Sequence, residues 1–306
     1  MKTNNALYYI TQISHQLNQE YTDKTLCNQY AWWLLQKLCN KNNAELIVQD
    51  ILILDDHQQQ QLNEWLTDLI INKKPIQYIL GSVPFNDLDI LVEPPTLIPR
   101  PETEEWCFQL IEQLKQLPPT PITIVDLATG SGCIALTLAY HVPHAHIVAT
   151  DIADTALALA HKNAVHNNIK NVTFIKSDVY AGLPATAQFD LIVANPPYIA
   201  ESERSVMDET VLNWEDQHAL FADDNGLHII KKIIADAPRF ITQNNAMHTS
   251  NIPQVIIEIG WQQGAIVKQL MLAAGYNEVY IHKDLEKKDR LVVGRVDYVA
   301  NTNAGT

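Results

Sequence analysis

The chain of 306 residues is long enough for one large or two ordinary domains, and 47% of its residues are hydrophobic, which supports a sizeable core. The formal net charge of −14 disfavours non-specific binding to DNA or anionic membranes without excluding a basic protein partner. No apolar run approaches a membrane span, and the four cysteines lack Cys-x-x-Cys spacing, so we expect reduced thiols and no metal site. Without a signal core or early arginines, the expected location is the cytoplasm.

Residues 1–74 carry helical patterns and no strand pattern. The first predicted helix rests on apolar residues at spacings of three and four, namely Leu7, Ile10, Ile13 and Leu17. Thr22 or Asp23 can cap a second helix, and Asp55-Asp56 can open a later one. That later helix is expected to turn five residues inward, Leu62, Trp65, Leu66, Leu69 and Ile70. No catalytic constellation is present, so we expect a small helical bundle that docks a substrate or serves stability.

Residues 75–100 change to short pieces punctuated by glycine and proline. This composition predicts an extended linker with a β-hairpin across Asn86-Asp87. The linker runs into Leu97-Ile98-Pro99-Arg100-Pro101-Glu102-Thr103-Glu104. Proline is favoured at the first position of a helix, so we expect a helix to begin at Pro101 and continue to Leu117.

Strand and helix patterns alternate in the remaining domain, residues 101–306. Five apolar runs predict parallel strands, at 122–126, 146–151, 172–176, 189–194 and 255–259. The later segments 278–282 and 291–296 can pair antiparallel. Repeated β-α units predict an α/β fold, a doubly wound sheet with helices on both faces. Ligands of such sheets bind beyond the carboxyl ends of the strands, at the topological switch point.

A glycine-containing turn follows the first strand of this domain. Glycine lets the backbone approach a ligand closely, and the next helix offers free N–H groups at its N-terminus. A dinucleotide fingerprint would need a further glycine where Ala135 stands, which disfavours that interpretation. The residues expected to line a nucleoside ligand here are Asp126, Ala128, Thr129, Gly130, Ser131 and Gly132.

The next two strands also end in residues that suit a nucleoside. Asp151 follows the turn by about 20 residues, the spacing at which a carboxylate accepts ribose hydroxyls. Asp151 could instead cap the helix that begins near Asp154. Asp178 could accept the amino group of adenine while Val179 covers the ring, although Asp178 could equally be a turn residue.

The fourth strand stops at Asn195-Pro196-Pro197-Tyr198, which we call the Asn195 corner. Proline cannot donate to a ladder and restricts the preceding residue, so the strand ends in a rigid turn. The side-chain oxygen of Asn195 and the carbonyl of Pro196 are two acceptors for the two hydrogens of a planar NH₂ group. Tyr198 can pack on the planar face of that group. A proline-stiffened loop without a function is the alternative interpretation.

Each of the first four strands of this domain is followed by one of these features. In chain order they are the glycine turn, Asp151 for the ribose, Asp178 for the adenine and the Asn195 corner. Together they indicate a class I S-adenosylmethionine-dependent methyltransferase that acts on a planar amino nitrogen, with Asn195 also bordering the cofactor. The rival hypotheses are a DNA adenine methyltransferase and a non-catalytic binding module. The net charge of −14 and the lack of a basic recognition segment count against the DNA enzyme. A non-catalytic module would not need both the turn and the corner.

Five segments resemble the HemK/PrmC family: residues 75–81, 97–104, 126–132, 195–198 and 258–264, the last reading Glu-Ile-Gly-Trp-Gln-Gln-Gly. The resemblance implies a helical substrate-docking domain, a hairpin linker and a Rossmann-like catalytic domain with a seven-stranded mixed sheet. It also implies methylation of N5 of the glutamine in the Gly-Gly-Gln motif of class-I peptide-chain release factors. No nucleic acid or membrane partner is implied, and we expect a monomer.

The resemblance also bears on roles and alternatives. Asp126 is expected near the methionine ammonium of the cofactor, unless it is a buried structural carboxylate. A sister branch of the family modifies a glutamine of a large-subunit ribosomal protein, but the segment at 97–104 resembles the release-factor branch. This sequence departs from the usual family pattern at two places. Ala128 stands where the family usually has glycine, and the segment Thr242 to Asn251 is longer and more polar than the usual Gly-Gly turn. We expect the latter to be a surface change.

Overall fold

The computed structural model describes residues 4–242 and 252–296, and the chain divides into two compact units. The helical unit comprises Met1–Ser82 and Asp208–Trp214, and the sheet unit comprises Val83–Met207 and Glu215–Thr306. The unit boundary at Ser82 lies later than the expected boundary at 74, and residues 208–214 belong to the helical unit. The expected surface change at Thr242 to Asn251 lies outside the described residues except for Thr242.

The helical unit contains five helices before Ser82: α1 (Ala6–Leu17), α2 (Lys24–Cys39), α3 (Asn43–Ile47), α4 (Asp56–Ile70) and α5 (Ile76–Leu80). Asp23 caps α2, as expected for one of the two candidates. Asp55 caps α4 through a capping box with Gln58, which satisfies two backbone N–H groups reciprocally. Leu62, Leu66 and Leu69 are buried, whereas Trp65 and Ile70 are only half-buried.

Two expectations for the helical unit are wrong. Leu7 was expected inward but is 57% exposed. The buried stripe of α1 runs through Ala6, Ile10, Ile13 and Leu17, and Leu7 lies roughly 90° around the helix from its centre. The expected extended start of the linker is instead helix α5, which ends because Gly81 adopts a left-handed φ of 81°.

The predicted hairpin across Asn86-Asp87 is present. Its strands are β1 (Ser82–Phe85) and β2 (Leu88–Leu91), which form a two-stranded sheet. Asn86 adopts a left-handed φ of 50° in the connecting turn, a conformation that asparagine tolerates better than most residues. Helix α6 (Pro101–Leu114) then begins at the predicted proline and ends three residues before Leu117.

The sheet unit is built on a seven-stranded mixed sheet, which confirms the predicted fold class. Its strands are β3 (Ile122–Leu127), β4 (Ala145–Asp151), β5 (Val172–Lys176), β6 (Leu191–Ala194), β7 (Val255–Glu258), β8 (Tyr276–Lys283) and β9 (Asp289–Val296). The strand order is β5-β4-β3-β6-β7-β9-β8, and β9 alone runs antiparallel to both of its neighbours. The order reverses between β3 and β6, so the carboxyl ends of these strands form the switch point.

Helices cover both faces of this sheet, and each face has its own apolar cluster. The longer helices are α7 (Cys133–His141), α8 (Asp154–His166), α12 (His228–Phe240) and α13 (Gly264–Ala273). Helices α6 and α7 pack into one cluster, while α12 and α13 pack into the other. The central strands β3, β6 and β7 are therefore buried on both sides, as their continuous apolar runs predict.

Short helical segments fill the stretch between the Asn195 corner and α12, where no element was predicted. They are a 3₁₀ helix (Glu201–Val206), α9 (Glu209–Trp214), α10 (Gln217–Leu220) and α11 (Asp223–Gly226). Each is too short to show a helical period in sequence. Asp224, Asn225 and Gly226 are consecutive left-handed residues with φ of 58°, 54° and 79°, so α11 is a tight turn rather than a regular helix.

Within the described residues, no helix is both long and apolar enough to cross a membrane. In the same part of the chain, no cluster of three or more histidine, cysteine, aspartate and glutamate side chains could hold a metal ion.

Candidate active site

The turn after β3 is shaped by three residues with left-handed backbones. Ala128, Gly130 and Gly132 have φ of 58°, 56° and 82°, and Gly132 is the N-cap of α7. A Cβ on Gly132 would lie 3.0 Å from the Cβ of Ala160, so this glycine also permits close packing of α8. The turn leaves the N-terminus of α7 facing the carboxyl edge of the sheet, where an anionic or polar ligand group can accept its N–H bonds.

Asp126, two residues before the turn, is a buried carboxylate with spare acceptor capacity. Its Oδ2 accepts a hydrogen bond of 2.6 Å from the Thr129 hydroxyl. Its Oδ1 is buried without a hydrogen-bond partner among the described residues. Burial raises the pKa of Asp126 to about 7, despite the opposing effects of the Thr129 hydroxyl and the backbone N–H of Ala135. An unpaired carboxylate oxygen here fits a ligand that brings a positive charge, such as an ammonium group.

Asp151 is the last residue of β4, and its side chain accepts a hydrogen bond from the turn that follows β3. Its Oδ2 accepts from the N–H of Gly130 and its Oδ1 from the N–H of Ala153, both at 2.9 Å. Burial raises its pKa, while these bonds oppose the rise. The N-cap of α8 is Ala153, so Asp151 orders the approach to that helix without being its cap. Each carboxylate oxygen keeps a further lone pair, which leaves room for ribose hydroxyls.

Asp178 and Val179 follow β5 and differ in how well they suit adenine. Asp178 is exposed, and both of its carboxylate oxygens accept from the Lys232 ammonium, at 3.1 and 2.8 Å. An adenine amino group would therefore share this carboxylate with Lys232. Val179 is half-buried with a left-handed φ of 54°, which is strained for a β-branched residue. No local sequence pattern indicates the pairing with Lys232, which lies 54 residues further along the chain.

Asn195 lies directly after β6, and its amide is held by a buried side chain. Its Nδ2 donates to the Thr103 hydroxyl at 3.1 Å. Thr103 in turn donates to Oε2 of Glu258 at 2.8 Å, and the indole N–H of Trp106 donates to the same oxygen at 2.7 Å. Burial raises the pKa of Glu258, while both hydrogen bonds lower it. Thr103 and Glu258 lie in segments that resemble the family, but no sequence pattern around them predicts their link to Asn195.

The other end of the Asn195 corner is fixed through the backbone of Tyr198. The carbonyl of Tyr198 accepts from the side-chain amide of Gln263 at 2.9 Å, and the same amide accepts from the N–H of Gly260. A Cβ on Gly226 would lie 2.0 Å from that carbonyl oxygen, so only glycine fits there. Tyr198 itself is half-buried, and burial raises the pKa of its phenol. Pro196 is buried and Pro197 half-buried.

The sheet register brings the predicted residues to one edge. Strand β3 pairs in parallel with β6, with Asp126 opposite Val193 and Leu127 opposite Ala194. The turn and the Asn195 corner therefore leave neighbouring strands at the same level. Strand β4 pairs with β3 on the other side and ends in Asp151. The predicted acids, the turn and the corner thus follow adjacent strands of the sheet, as the alternation of strands and helices indicated.

Two family models and a solved structure match large parts of this chain. The family model described as the methyltransferase small domain matches residues 109–218, and the model described as the PrmC N-terminal domain matches residues 9–81. Among solved structures, the hMettl16 catalytic domain in complex with a MAT2A 3′UTR hairpin aligns with a TM-score of 0.52 and 16% identity, covering 80% of this chain and 83% of that one. That likeness concerns the fold alone. Fold and site together define a class I S-adenosylmethionine-dependent methyltransferase.

Curated relatives narrow the assignment. The release factor glutamine methyltransferase of Flavobacterium psychrophilum is 35% identical over 93% of this chain and 96% of its own length. The protein of the same name from Escherichia coli K12 is 38% identical over 86% of this chain and 90% of its own. The chain belongs to the family of release factor glutamine methyltransferases.

Proposed function

We propose that this chain transfers the methyl group of S-adenosylmethionine to the side-chain amide N5 of the glutamine in the Gly-Gly-Gln motif of class-I peptide-chain release factors. The observation that carries the proposal is the Asn195 amide. Because its nitrogen donates to Thr103, its oxygen is the group left to meet a substrate. An acceptor fixed beside a cofactor turn suits a substrate that presents N–H donors. The substrate of the named relatives, a glutamine, carries such donors.

The residues that would hold the cofactor surround the carboxyl ends of β3 and β4. Oδ1 of Asp126 would pair with the ammonium of the methionine moiety. The turn, residues 128–132, would approach the ligand through its backbone. Asp151 would accept the ribose hydroxyls on the lone pairs that Gly130 and Ala153 leave free. Val179 would cover the adenine ring, with Asp178 and Lys232 at its edge.

The Asn195 corner would orient the glutamine amide. The side-chain oxygen of Asn195 would accept one N–H of the substrate amide, and the carbonyl of Pro196 would accept the other. Tyr198 would pack against the planar amide, and Pro197 would keep the turn rigid. Two fixed acceptors set the direction of the nitrogen lone pair and raise its electron density, so catalysis rests on orientation and electrostatics.

The reaction needs no general base before transfer. S-adenosylmethionine, when bound, would supply an electrophilic methyl group on a sulfonium sulfur, with the neutral thioether as the leaving group. The amide nitrogen forms the new N–C bond as the S–C bond breaks. The nitrogen then carries a positive charge and releases one proton to solvent. The ordinary weakness of an amide nucleophile is the barrier that Asn195 and Pro196 lower.

Mass spectrometry of candidate substrates tests the proposal. A class-I release factor, ribosomal proteins and duplex DNA are each incubated with the protein and S-adenosylmethionine. We expect one added methyl group on the glutamine of the Gly-Gly-Gln peptide and none on DNA. A release factor in which that glutamine is replaced serves as the control. Methylation of a ribosomal protein or of adenine in place of the release factor would overturn the assignment.

A further inference from the structure

A continuous hydrogen-bonded chain of four side chains leads from the interior of the sheet unit to Asn195. Trp106 and Thr103, on α6, both donate to Oε2 of Glu258 at the end of β7, at 2.7 and 2.8 Å. Thr103 accepts from Asn195 at 3.1 Å. Thr103 and Glu258 are only 2% and 1% exposed, so water cannot substitute for these contacts.

The hydrogen bonds of this four-residue series have a fixed donor-to-acceptor direction. An indole nitrogen can only donate, and a carboxyl oxygen that carries no proton can only accept. With Oε2 of Glu258 accepting from both Trp106 and Thr103, the single hydroxyl proton of Thr103 is committed to Glu258. The Thr103 oxygen can therefore only accept from Asn195. The Asn195 amide is fixed with its nitrogen toward Thr103 and its oxygen turned away.

We propose that Thr103 and Glu258 are positioning residues that set the orientation of the Asn195 amide for methyl transfer. The inference rests on the proposed function, in which the oxygen of Asn195 meets the substrate. An amide free to rotate by 180° would present its NH₂ group to the substrate amide, donor against donor. The buried carboxylate prevents this by setting the polarity of every bond in the chain.

Burial argues for a positioning role beyond packing. Removing a carboxylate from water is unfavourable, and an apolar group of the same volume would often hold α6 and β7 together at least as well. Among the described residues, Thr103 is the single hydrogen-bond partner of the Asn195 side chain. Loss of the Thr103 hydroxyl therefore leaves the orientation of the amide undetermined.

The test compares variants of Thr103 in the full-length protein. Thr103→Val removes the hydroxyl at nearly constant volume, and Thr103→Ser restores it. We expect Thr103→Val to lower the single-turnover rate of methyl transfer to a release factor at least about tenfold, while Thr103→Ser stays within about twofold. S-adenosylhomocysteine affinity, measured by calorimetry, should not change. Thr137→Val is the matched control, because the Thr137 hydroxyl is buried and lacks a partner among the described residues.

A double variant separates positioning from general structural damage. If Thr103 acts through Asn195, adding Thr103→Val to Asn195→Ala should produce no further loss of rate. A full additional loss would show that Thr103 acts elsewhere and would overturn the proposal. An unchanged rate in Asn195→Ala alone would instead overturn the proposed function.

Glu258→Leu tests the other end of this hydrogen-bonded chain and remains informative should Thr103→Val not fold. It removes the acceptor of the Thr103 hydroxyl, whose proton can then turn toward Asn195 and permit the reversed orientation of the amide. Glu258→Gln is the conservative control, because its carbonyl oxygen can accept from Trp106 and Thr103 as the carboxylate does. We expect Glu258→Leu to lower the rate at least about tenfold with unchanged affinity for S-adenosylhomocysteine, while Glu258→Gln loses much less. Wild-type rates in both Thr103→Val and Glu258→Leu would refute the positioning role.

Discussion

We expect the protonation of Asp126, a buried carboxylate, to govern cofactor binding. Its pKa of about 7 lies above the ordinary aspartate value, so the folded protein holds a proton that the unfolded chain has lost between roughly pH 4 and 7. In the free protein, the contribution of Asp126 to stability therefore falls as pH rises through this window. A cofactor ammonium pairs with the ionised form, so affinity for the cofactor should rise over the same window.

Calorimetry with S-adenosylhomocysteine between pH 5.5 and 8.5 checks this prediction. We expect affinity to rise by up to about tenfold per pH unit below 7 and to level off above it. The nearby carboxylate of Asp151 also raises the pKa of Asp126. The thiols of Cys107 and Cys133 stay neutral over this pH range, because burial raises their pKa. Asp126→Asn should remove the rise, and a flat profile in the wild-type protein would exclude Asp126 from ammonium binding.

Asp151 is expected to hold the ribose. Asp151→Ala should weaken S-adenosylhomocysteine binding by on the order of 1–3 kcal/mol, because the ribose hydroxyls lose a charged acceptor. Asp154→Ala is the matched control, since Asp154 lies three residues on and forms an exposed ion pair with Lys176. Thermal denaturation shows whether the lost bonds to Gly130 and Ala153 unfold the turn. Unchanged affinity in a folded Asp151→Ala protein would remove Asp151 from the site.

Ala128 carries local strain that a glycine would relieve. Its φ of 58° disfavours a residue with a Cβ, so Ala128→Gly should stabilise the protein by roughly 0.5 kcal/mol or more after the added freedom of the unfolded chain is counted. Ala158→Gly, in the exposed interior of α8, should instead destabilise by about 1 kcal/mol. Urea denaturation of both variants measures the difference. A loss of stability in Ala128→Gly would contradict the strain argument.

Sequence alone predicted the residues that end strands better than the residues that support them. Asp126, Asp151 and Asn195 each follow an apolar run, and the switch-point rule places such residues together. Thr103 and Glu258 are 155 residues apart, and Thr103 and Asn195 are 92 apart. No local pattern indicates those pairings. The available sign was a glutamate at the end of a continuous apolar strand, because a buried carboxylate requires partners.

At the scale of elements, long periodic segments were predicted well and short ones were missed. The strand at 172–176 was predicted with its observed bounds, and the strand predicted at 255–259 differs from β7 by one residue at its end. Helices α9 to α11 have six residues or fewer, less than two helical turns. Their conformation depends on contacts such as that between Gln263 and the Asn225 carbonyl, which a local pattern does not contain.

The helical unit carries an exposed apolar stretch at its α3–α4 connection. Ile47, Val48, Ile51 and Ile53 are between 59% and 78% exposed, and a cluster of exposed aliphatic residues is typical of a protein interface. We expect this stretch to contact the release factor. Deleting residues 1–74 is a less direct test, because residues 208–214 belong to the same unit and Trp214 donates to the carbonyl of Asn72.

Surface substitutions test this docking role without removing the unit. Val48→Ser combined with Ile53→Ser should raise the KM for release factor roughly tenfold, as lost apolar burial of about 1–2 kcal/mol implies. The kcat and the affinity for S-adenosylhomocysteine should stay unchanged. Leu285→Ser is the control, since Leu285 is 85% exposed in the sheet unit. An unchanged KM in the double variant would rule out this stretch as the docking surface.

At the scale of the whole molecule, the residues of the proposed site follow adjacent strands of one seven-stranded sheet. The reversal of strand order between β3 and β6 places the glycine turn and the Asn195 corner on neighbouring strands, while residues of α6 and β7 form the hydrogen bonds that lead to Asn195. The net charge of −14 suits a basic protein substrate better than a nucleic acid. The proposed methyl transfer depends most on the side-chain oxygen of Asn195.

Single-turnover methyl transfer by Asn195→Ala is therefore the most direct test. The rate with a release factor is measured beside the affinity for S-adenosylhomocysteine, with Asn195→Asp as the variant that keeps an acceptor but adds a charge. Asn195→Ala should lower the transfer rate by roughly 10²-fold or more, the scale for losing one preorganised polar group, while cofactor affinity falls much less. A near-wild-type transfer rate in Asn195→Ala would mean that the corner is only a structural turn.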